Sequence, residues 1–239
     1  MFRTIKWYFK FIGSLIINNG YLKKVDKLLE EGKNQEYEEF VTKKVSEWAM
    51  NRMNDSGAKV NVYGIENLPK EGSMLFVSNH QSNFDILLLL SYIPVSKGFV
   101  AKVELEHFPF VSQWMKRIHC LFMDRNDIKQ SAQIIIDGIK QLKSGINMVI
   151  FPEGTRSKTG ELGEFKAGSF KLALKSKKPL IPITIDGTRN VMEANNYKIK
   201  GETINLYIHE PIDTTILTKE EISELPDKVK SIIEKDLRK

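Results

Sequence analysis

Residues 73–90 read SMLFVSNHQSNFDILLLL, two apolar runs separated by a polar one. One apolar run, Leu75, Phe76 and Val77, stops at Ser78 and Asn79, and a second occupies 86–90. A short apolar run closed by polar turn residues fits a strand buried on both faces, the kind found in parallel sheets covered by helices. Between the two runs stand His80 and, five positions later, Asp85.

The pattern recurs along the chain from residue 58. Strands are predicted over 59–64, 73–78, 98–102, 118–124, 147–151, 180–185 and 203–209, and helices over about 84–92, 108–117, 128–143, 167–176 and 219–237. This alternation predicts an α/β domain over 58–239, a mostly parallel mixed sheet of about seven strands flanked by helices. In such sheets functional side chains collect just beyond the carboxyl ends of the strands. Residues 1–57 are expected to form a preceding unit, a membrane-associating pair of amphipathic helices. Tyr37, Val41, Val45, Trp48 and Ala49 recur at three- and four-residue spacing, giving the second helix over 34–54, which Asn54-Asp55-Ser56-Gly57 ends with turn chemistry.

The first helix covers the basic N-terminus. Of a net charge of +6 over 239 residues, Arg3, Lys6, Lys10, Lys23 and Lys24 lie in the first 25, where there is no acid. The remainder is close to balanced, which is not the broad cationic face of a nucleic-acid binder. The uncharged run 11–22 contains Asn18 and Asn19, whereas a spanning helix needs roughly 20 apolar residues. A clean apolar centre and a small-residue cleavage site, the marks of a signal peptide, are missing. Two readings remain. The helix lies in a membrane interface, with Trp7, Tyr8, Phe9 and Phe11 at headgroup level and its cations on anionic lipid, or it packs on the protein's own core. Cys120, the only cysteine, excludes an intrachain disulfide, suggests a reducing compartment and fits a small core residue on a strand.

His80 and Asp85 admit two readings as well. A tight strand-to-helix turn can bring the carboxylate to one imidazole nitrogen, fixing the tautomer and leaving the other nitrogen as a proton acceptor. Alternatively Asp85 caps the following helix and His80 is a polar turn residue. No G-x-S-x-G elbow is present and Cys120 has no catalytic setting; H-E-x-x-H, C-x-x-C, the P-loop and G-x-G-x-x-G are missing too. No metal or bound cofactor is expected, and direct attack by an activated substrate hydroxyl survives. FPEGTRS at 151–157 leaves an apolar strand and presents Glu153, Gly154 and Arg156; Lys166 opens a helix, and Arg125 leaves another strand. Bases at strand exits and a helix N-terminus together make a phosphate receptor, although each alone is an ordinary solvated charge.

Four segments in order carry a resemblance: N-H-Q-S-N-F-D at 79–85, the stretch from Lys102 through Pro109 and Phe110 to Phe122-Met-Asp-Arg125, F-P-E-G-T-R-S at 151–157, and L-I-P-I-T-I at 180–185. They resemble the motifs of the glycerolipid acyltransferase family over roughly 58–210, most of all those of bacterial 1-acyl-sn-glycerol-3-phosphate acyltransferases. The resemblance implies that His80 is a general base and Asp85 its orienter. It implies further that Arg125 and Arg156, supported by Lys102 and Lys166, hold an acceptor phosphate, and that Glu153 and Gly154 shape the acceptor pocket. Pro182 would lie on the acyl-donor side or be a plain strand-entry proline. His119 stands where the family usually has glycine, so its ring either narrows the pocket or points to solvent. For His107 and His209 there is no functional argument. The implied reaction is transfer from acyl-CoA or acyl carrier protein to lysophosphatidic acid at the cytoplasmic face of the cell membrane, by a peripheral or monotopic enzyme. Rival expectations are glycerol 3-phosphate or another lysophospholipid as acceptor, a phospholipid-binding protein without chemistry, and a phosphate-ester hydrolase.

Overall fold

The computed structural model of the chain describes residues 1–237, so the last two residues of the domain expected over 58–239 lie outside the described residues. Three helices come first: α1 (Phe2–Asn19), α2 (Leu22–Glu30) and α3 (Asn34–Ser56). The single helix expected over 1–25 is broken at Gly20 and Tyr21, so the N-terminal unit holds three helices rather than two. Gly57, at φ 75°, ends α3 in the left-handed conformation that glycine tolerates best.

Seven strands follow: β1 (Lys59–Tyr63), β2 (Leu75–Ser78), β3 (Lys97–Lys102), β4 (Leu121–Met123), β5 (Asn147–Ile150), β6 (Leu180–Asp186) and β7 (Thr203–Ile208). They form one sheet in the order β1-β7-β6-β2-β5-β3-β4. Every neighbouring pair is parallel except β6 and β7, so the sheet is mixed as expected. Helices α4 (Phe84–Tyr92), α5 (Val111–Arg117), α6 (Ile128–Lys143), α7 (Ala167–Ser176), α8 (Thr188–Val191) and α9 (Lys219–Lys235) connect and cover it.

Alternation along the central strands sends side chains to two apolar layers. Phe76, Val149, Ile181, Ile183 and Ile185 join the layer built with α1, α3 and α4. Leu75, Val77, Met148, Ile150 and Leu180 join the layer built with α6, α7 and α9. Val25, Tyr37, Val41 and Val45 of the N-terminal helices lie in the first layer beside sheet residues, so these helices and the sheet share one core.

Two element starts differ from expectation for local reasons. Helix α5 starts at Val111 instead of 108, because Pro109 and Phe110, the latter at φ 64°, turn the chain first. Strand β4 is confined to Leu121–Met123 because His119 adopts φ 62°. Cys120 is accordingly a buried residue just ahead of the strand, its thiol pushed up to about 12 by burial. The short α8 and the 3-10 turn Glu193–Asn195 carry no apolar period that a sequence reading could detect.

Helix α1 packs one face on the protein's core and turns the other outward. Trp7 is buried, stacks on Phe11 and donates from Nε1 to the Arg52 carbonyl at 2.9 Å. Tyr8 and Phe11 also pack on the core. Of the four aromatics expected at headgroup level, only Phe9 is exposed; with Phe2, Ile5, Ile12 and Ile16 it forms an outward apolar stripe at three- and four-residue spacing. The cations divide in the same way. Lys10 pairs with Asp55, Lys24 lies 4.4 Å from the centre of the Phe40 ring, and the Arg3 guanidinium lies against Gly57 and Gly201. Among the described residues, no helix is long and apolar enough to cross a membrane.

Trp7→Ala should therefore lower the unfolding free energy by about 3–5 kcal/mol, as truncating a large buried aromatic does. Phe9→Ala, 79% exposed, should stay within about 0.5 kcal/mol in the same urea titration.

Candidate active site

Four adjacent parallel strands, β2, β5, β3 and β4, release the candidate residues from their carboxyl ends. His80 follows β2, Glu153 to Arg156 follow β5, Lys102 ends β3 and Arg125 follows β4. Three inter-strand spacings of about 4.8 Å put the whole set within roughly 15 Å along the sheet edge. Sheet order, not chain order, assembles the site.

The turn between β2 and α4 is held by side chains acting as backbone. The buried Asn79 amide donates to the Ile185 carbonyl and accepts from the Ile185 N–H, both at 2.8 Å, which pins the end of β2 to β6. The next residue, His80, has its Nδ1 2.7 Å from Asp85 Oδ2. Asp85 is fully buried; the same oxygen accepts from the Gln81 and Ser82 N–H groups at 2.7 and 2.9 Å, and Oδ1 accepts from the Thr188 hydroxyl at 2.5 Å. A carboxylate can only accept, so Nδ1 carries the ring proton and Nε2 is left with its lone pair free. Asp85 is not the helix cap, a position that belongs to Asn83.

Glu153 and Phe151 hold the histidine from behind. Glu153 accepts from the His80 N–H at 2.8 Å and the Gly163 N–H at 2.9 Å. It is buried and does not line the cavity, so it shapes the pocket indirectly, by fixing the His80 main chain. Burial raises its carboxyl above the usual range, against the opposing pull of these two donors. The Phe151 ring stacks on the imidazole with centres 4.0 Å apart. Pattern reading treated Phe151 as one more strand residue, because ring stacking leaves no periodic signal.

The expected bases converge on one cavity of about 1280 Å³, lined by His80, Lys102, Arg125, Gly154, Arg156 and Lys166. Gly154 has φ 71°, and a Cβ there would stand 3.0 Å from Lys166 Nζ, so glycine allows the amine to cross the loop. Lys102 is exposed and pairs with Glu104. Arg156 Nη1 donates to Glu193 Oε1 at 3.1 Å. Sequence reading missed Glu193, which also accepts from the Ser82 hydroxyl at 2.5 Å and the Asn83 N–H at 2.9 Å. It caps α4 from a distant segment, since Asn83 makes no side-chain cap of its own. Only the fold brings this carboxylate to that N-terminus.

Two residues flagged by the resemblance lie away from the cavity. The His119 ring neither narrows the pocket nor faces solvent: Nε2 lies 2.6 Å from Glu38 Oε1 on α3, tying the N-terminal helices to the β3–β4 connection. Its φ of 62° accounts for the suitability of glycine at this position. Pro182 is buried inside β6, its carbonyl accepting from the His209 N–H at 3.0 Å. His107 is exposed, and His209 lies 2.8 Å from the Thr184 hydroxyl.

Glu193→Ala should cost about 1 kcal/mol of stability in a chemical melt, the typical loss for a helix N-cap. Glu193→Gln, which keeps an acceptor for the Asn83 N–H, should recover at least half of it.

A family model described as Acyltransferase matches residues 59–186. A 1-acyl-sn-glycerol-3-phosphate acyltransferase of Borreliella burgdorferi is 31% identical over 182 residues, covering 76% of this chain and 73% of that protein. A probable 1-acyl-sn-glycerol-3-phosphate acyltransferase of Mycoplasma pneumoniae is 36% identical over 151 residues, 61% of this chain and 56% of its own length. The crystal structure of the 1-acyl-sn-glycerophosphate (LPA) acyltransferase PlsC from Thermotoga maritima matches with a TM-score of 0.86 at 27% identity, covering 98% of this chain and 92% of that one.

Proposed function

The chain belongs to the acyltransferase family, and from that premise we propose that it moves a fatty acyl group from a thioester, acyl-CoA or acyl carrier protein, to the 2-hydroxyl of 1-acylglycerol 3-phosphate, giving phosphatidic acid. The observation that carries this reading is His80, with Nδ1 held by a buried carboxylate and Nε2 free, in a cavity shared with four bases at strand and helix ends. Relatives named for the same reaction support it.

In the proposed reaction Nε2 takes the proton of the 2-hydroxyl as the oxygen attacks the thioester carbon. The tetrahedral oxyanion collapses, and the leaving thiolate takes the proton back from the imidazolium, whose charge Asp85 stabilises meanwhile. Arg125, Arg156, Lys102 and Lys166 hold the acceptor phosphate, and fixing it converts an encounter into an oriented attack, contributing up to roughly 7–11 kcal/mol. Base catalysis adds about 100- to 10,000-fold. An alcohol, a thioester and a base suffice, so the proposal includes no metal or bound cofactor.

His80→Ala should abolish acyl transfer from labelled acyl-CoA to lysophosphatidic acid while leaving the thermal transition in place. Arg125→Ala and Arg156→Ala should raise the KM for this acceptor about tenfold or more, the loss of a charge-assisted phosphate contact, and much less for a monoacylglycerol lacking the phosphate. Turnover near wild type in His80→Ala would sink the mechanism.

The proposal extends to place. Both acyl chains are poorly soluble, and the outward stripe of α1, Phe2, Ile5, Phe9, Ile12 and Ile16, suits a helix lying about 5–10 Å into the headgroup boundary of the cytoplasmic leaflet. Lys6 and Lys23, exposed and without an ion-pair partner among the described residues, suit anionic lipid. A Phe2, Phe9, Ile12 triple serine variant should melt like wild type yet fail to float with anionic liposomes. Salt should weaken the charge contribution and leave the apolar one. Equal flotation of the two proteins would remove α1 as the anchor.

A further inference from the structure

The direct attack proposed above requires both substrates at His80 together, because no acyl-enzyme stores the acyl group between them. The cavity must therefore admit two long molecules, and its walls come from both faces of the sheet. Trp7, Phe11, Leu87 and Trp114 line it on the α1, α3 and α4 side, whose residues belong to one apolar layer. Ile136 and Ile139 of α6 and Lys171 and Lys175 of α7 line it on the side of the other layer. The cavity thus has an arm on each side of the carboxyl edge of the sheet, and His80 lines it just after β2, an interior strand.

The two arms differ in chemistry. The first is walled by aromatic and aliphatic side chains and suits an acyl chain. The second has an isoleucine floor and a cationic rim. Lys171 and Lys175 stand four residues apart on one side of α7, about 6 Å along its axis. Both are exposed, and neither has an ion-pair partner among the described residues. The acceptor phosphate is already met by the bases around His80, so these two cations call for a second anion. A thioester donor supplies one: a slim stem of methylene and methyl groups joined through two amides, whose far end is a phosphate.

We infer that the groove between α6 and α7 binds the phosphopantetheine of the acyl donor, with the stem over Ile136 and Ile139 and the phosphate between Lys171 and Lys175. This rests on the acyl-transfer reading. Gly168, in the first turn of α7 and also lining the groove, has nothing within 4 Å of where a Cβ would stand. A larger side chain there fits the fold but fills the arm. Acyl-CoA and acyl carrier protein share the phosphopantetheine, and the site holds that of whichever of the two is the donor.

The test compares donor KM for three thioesters of one acyl chain: acyl-CoA, acyl carrier protein and acyl-pantetheine, which lacks the phosphate. The Lys171→Ala/Lys175→Ala variant should raise the KM for at least one of the phosphate-bearing donors about tenfold, two contacts of roughly threefold each. It should leave the KM for acyl-pantetheine and for lysophosphatidic acid within twofold. Gly168→Leu should raise the KM for all three donors and not for the acceptor. Which carrier loses affinity in the lysine variant identifies the donor for which the site is built. An unchanged KM for both phosphate-bearing donors overturns the inference, as does an equal rise for acyl-pantetheine, which would place the lysines in membrane contact or in folding. Failure of the reaction reading has a separate signature, activity in His80→Ala.

Discussion

The turn after β2, the loop after β6 and the cavity wall at His80 are all built around one buried charge, the carboxylate of Asp85. With no access to water, its charge is stabilised by four donors: the His80 ring, the Gln81 and Ser82 N–H groups and the Thr188 hydroxyl. A buried anion with fewer partners would cost several kcal/mol. Each donor comes with a structural demand. The two N–H groups require the tight turn after β2, Thr188 requires the loop after β6 to approach α4, and the imidazole must stand at the cavity wall. The arrangement that makes the anion tolerable also fixes the tautomer and direction of His80.

Helix α4 shows how far this logic reaches beyond the turn. It is almost wholly apolar and lies buried between α3 and the sheet, and it has no side-chain cap of its own. Its ends are satisfied by charges from elsewhere. Glu193 accepts from the Asn83 N–H at the start. Beyond the other end Lys97, buried with its ammonium pulled down to about 7, donates to the Ile93 and Val95 carbonyls at 2.9 and 2.8 Å. Each charge has the sign that the helix dipole favours. Because Glu193 also binds Arg156, the cap of the helix that carries Asp85 and the bearing of the Arg156 guanidinium at the cavity wall are set by one carboxylate.

Much of this was legible in the chain. Strands buried on both faces announce themselves as short apolar runs such as NMVI and LIPITI, and polar turn residues set them apart from an apolar run that is helical, ILLLL in α4. Helices α6 and α7 were bounded correctly because period and turn residues agree. The His80–Asp85 pair was legible because its geometry is local, five residues across one turn. What stayed hidden depends on distant segments meeting: Glu193 under Asn83, Phe151 against His80, His119 with Glu38. Helix α1 was hidden for another reason. Its aromatics are apolar on both faces, and composition does not say which ring faces the core; Trp7 and Phe9 differ only in the direction that α3 gives them.

Parallel topology explains why residues from four separate strands meet around His80. Neighbouring parallel strands end on the same edge, so the residues after β2, β5, β3 and β4 meet without any segment having to be long. The two faces of that edge are then free to differ. On one, the N-terminal helices extend the apolar layer toward a surface that is itself apolar, the outward stripe of α1. On the other, α6 and α7 carry Ile136, Ile139, Lys171 and Lys175 to the cavity, and the two lysines have no ion-pair partner among the described residues. An acyl chain and a phosphate-ended carrier have opposite requirements for their surroundings, and a site at the centre of either face could meet only one of them. At the edge, His80 lies where an apolar wall and a cationic one come together.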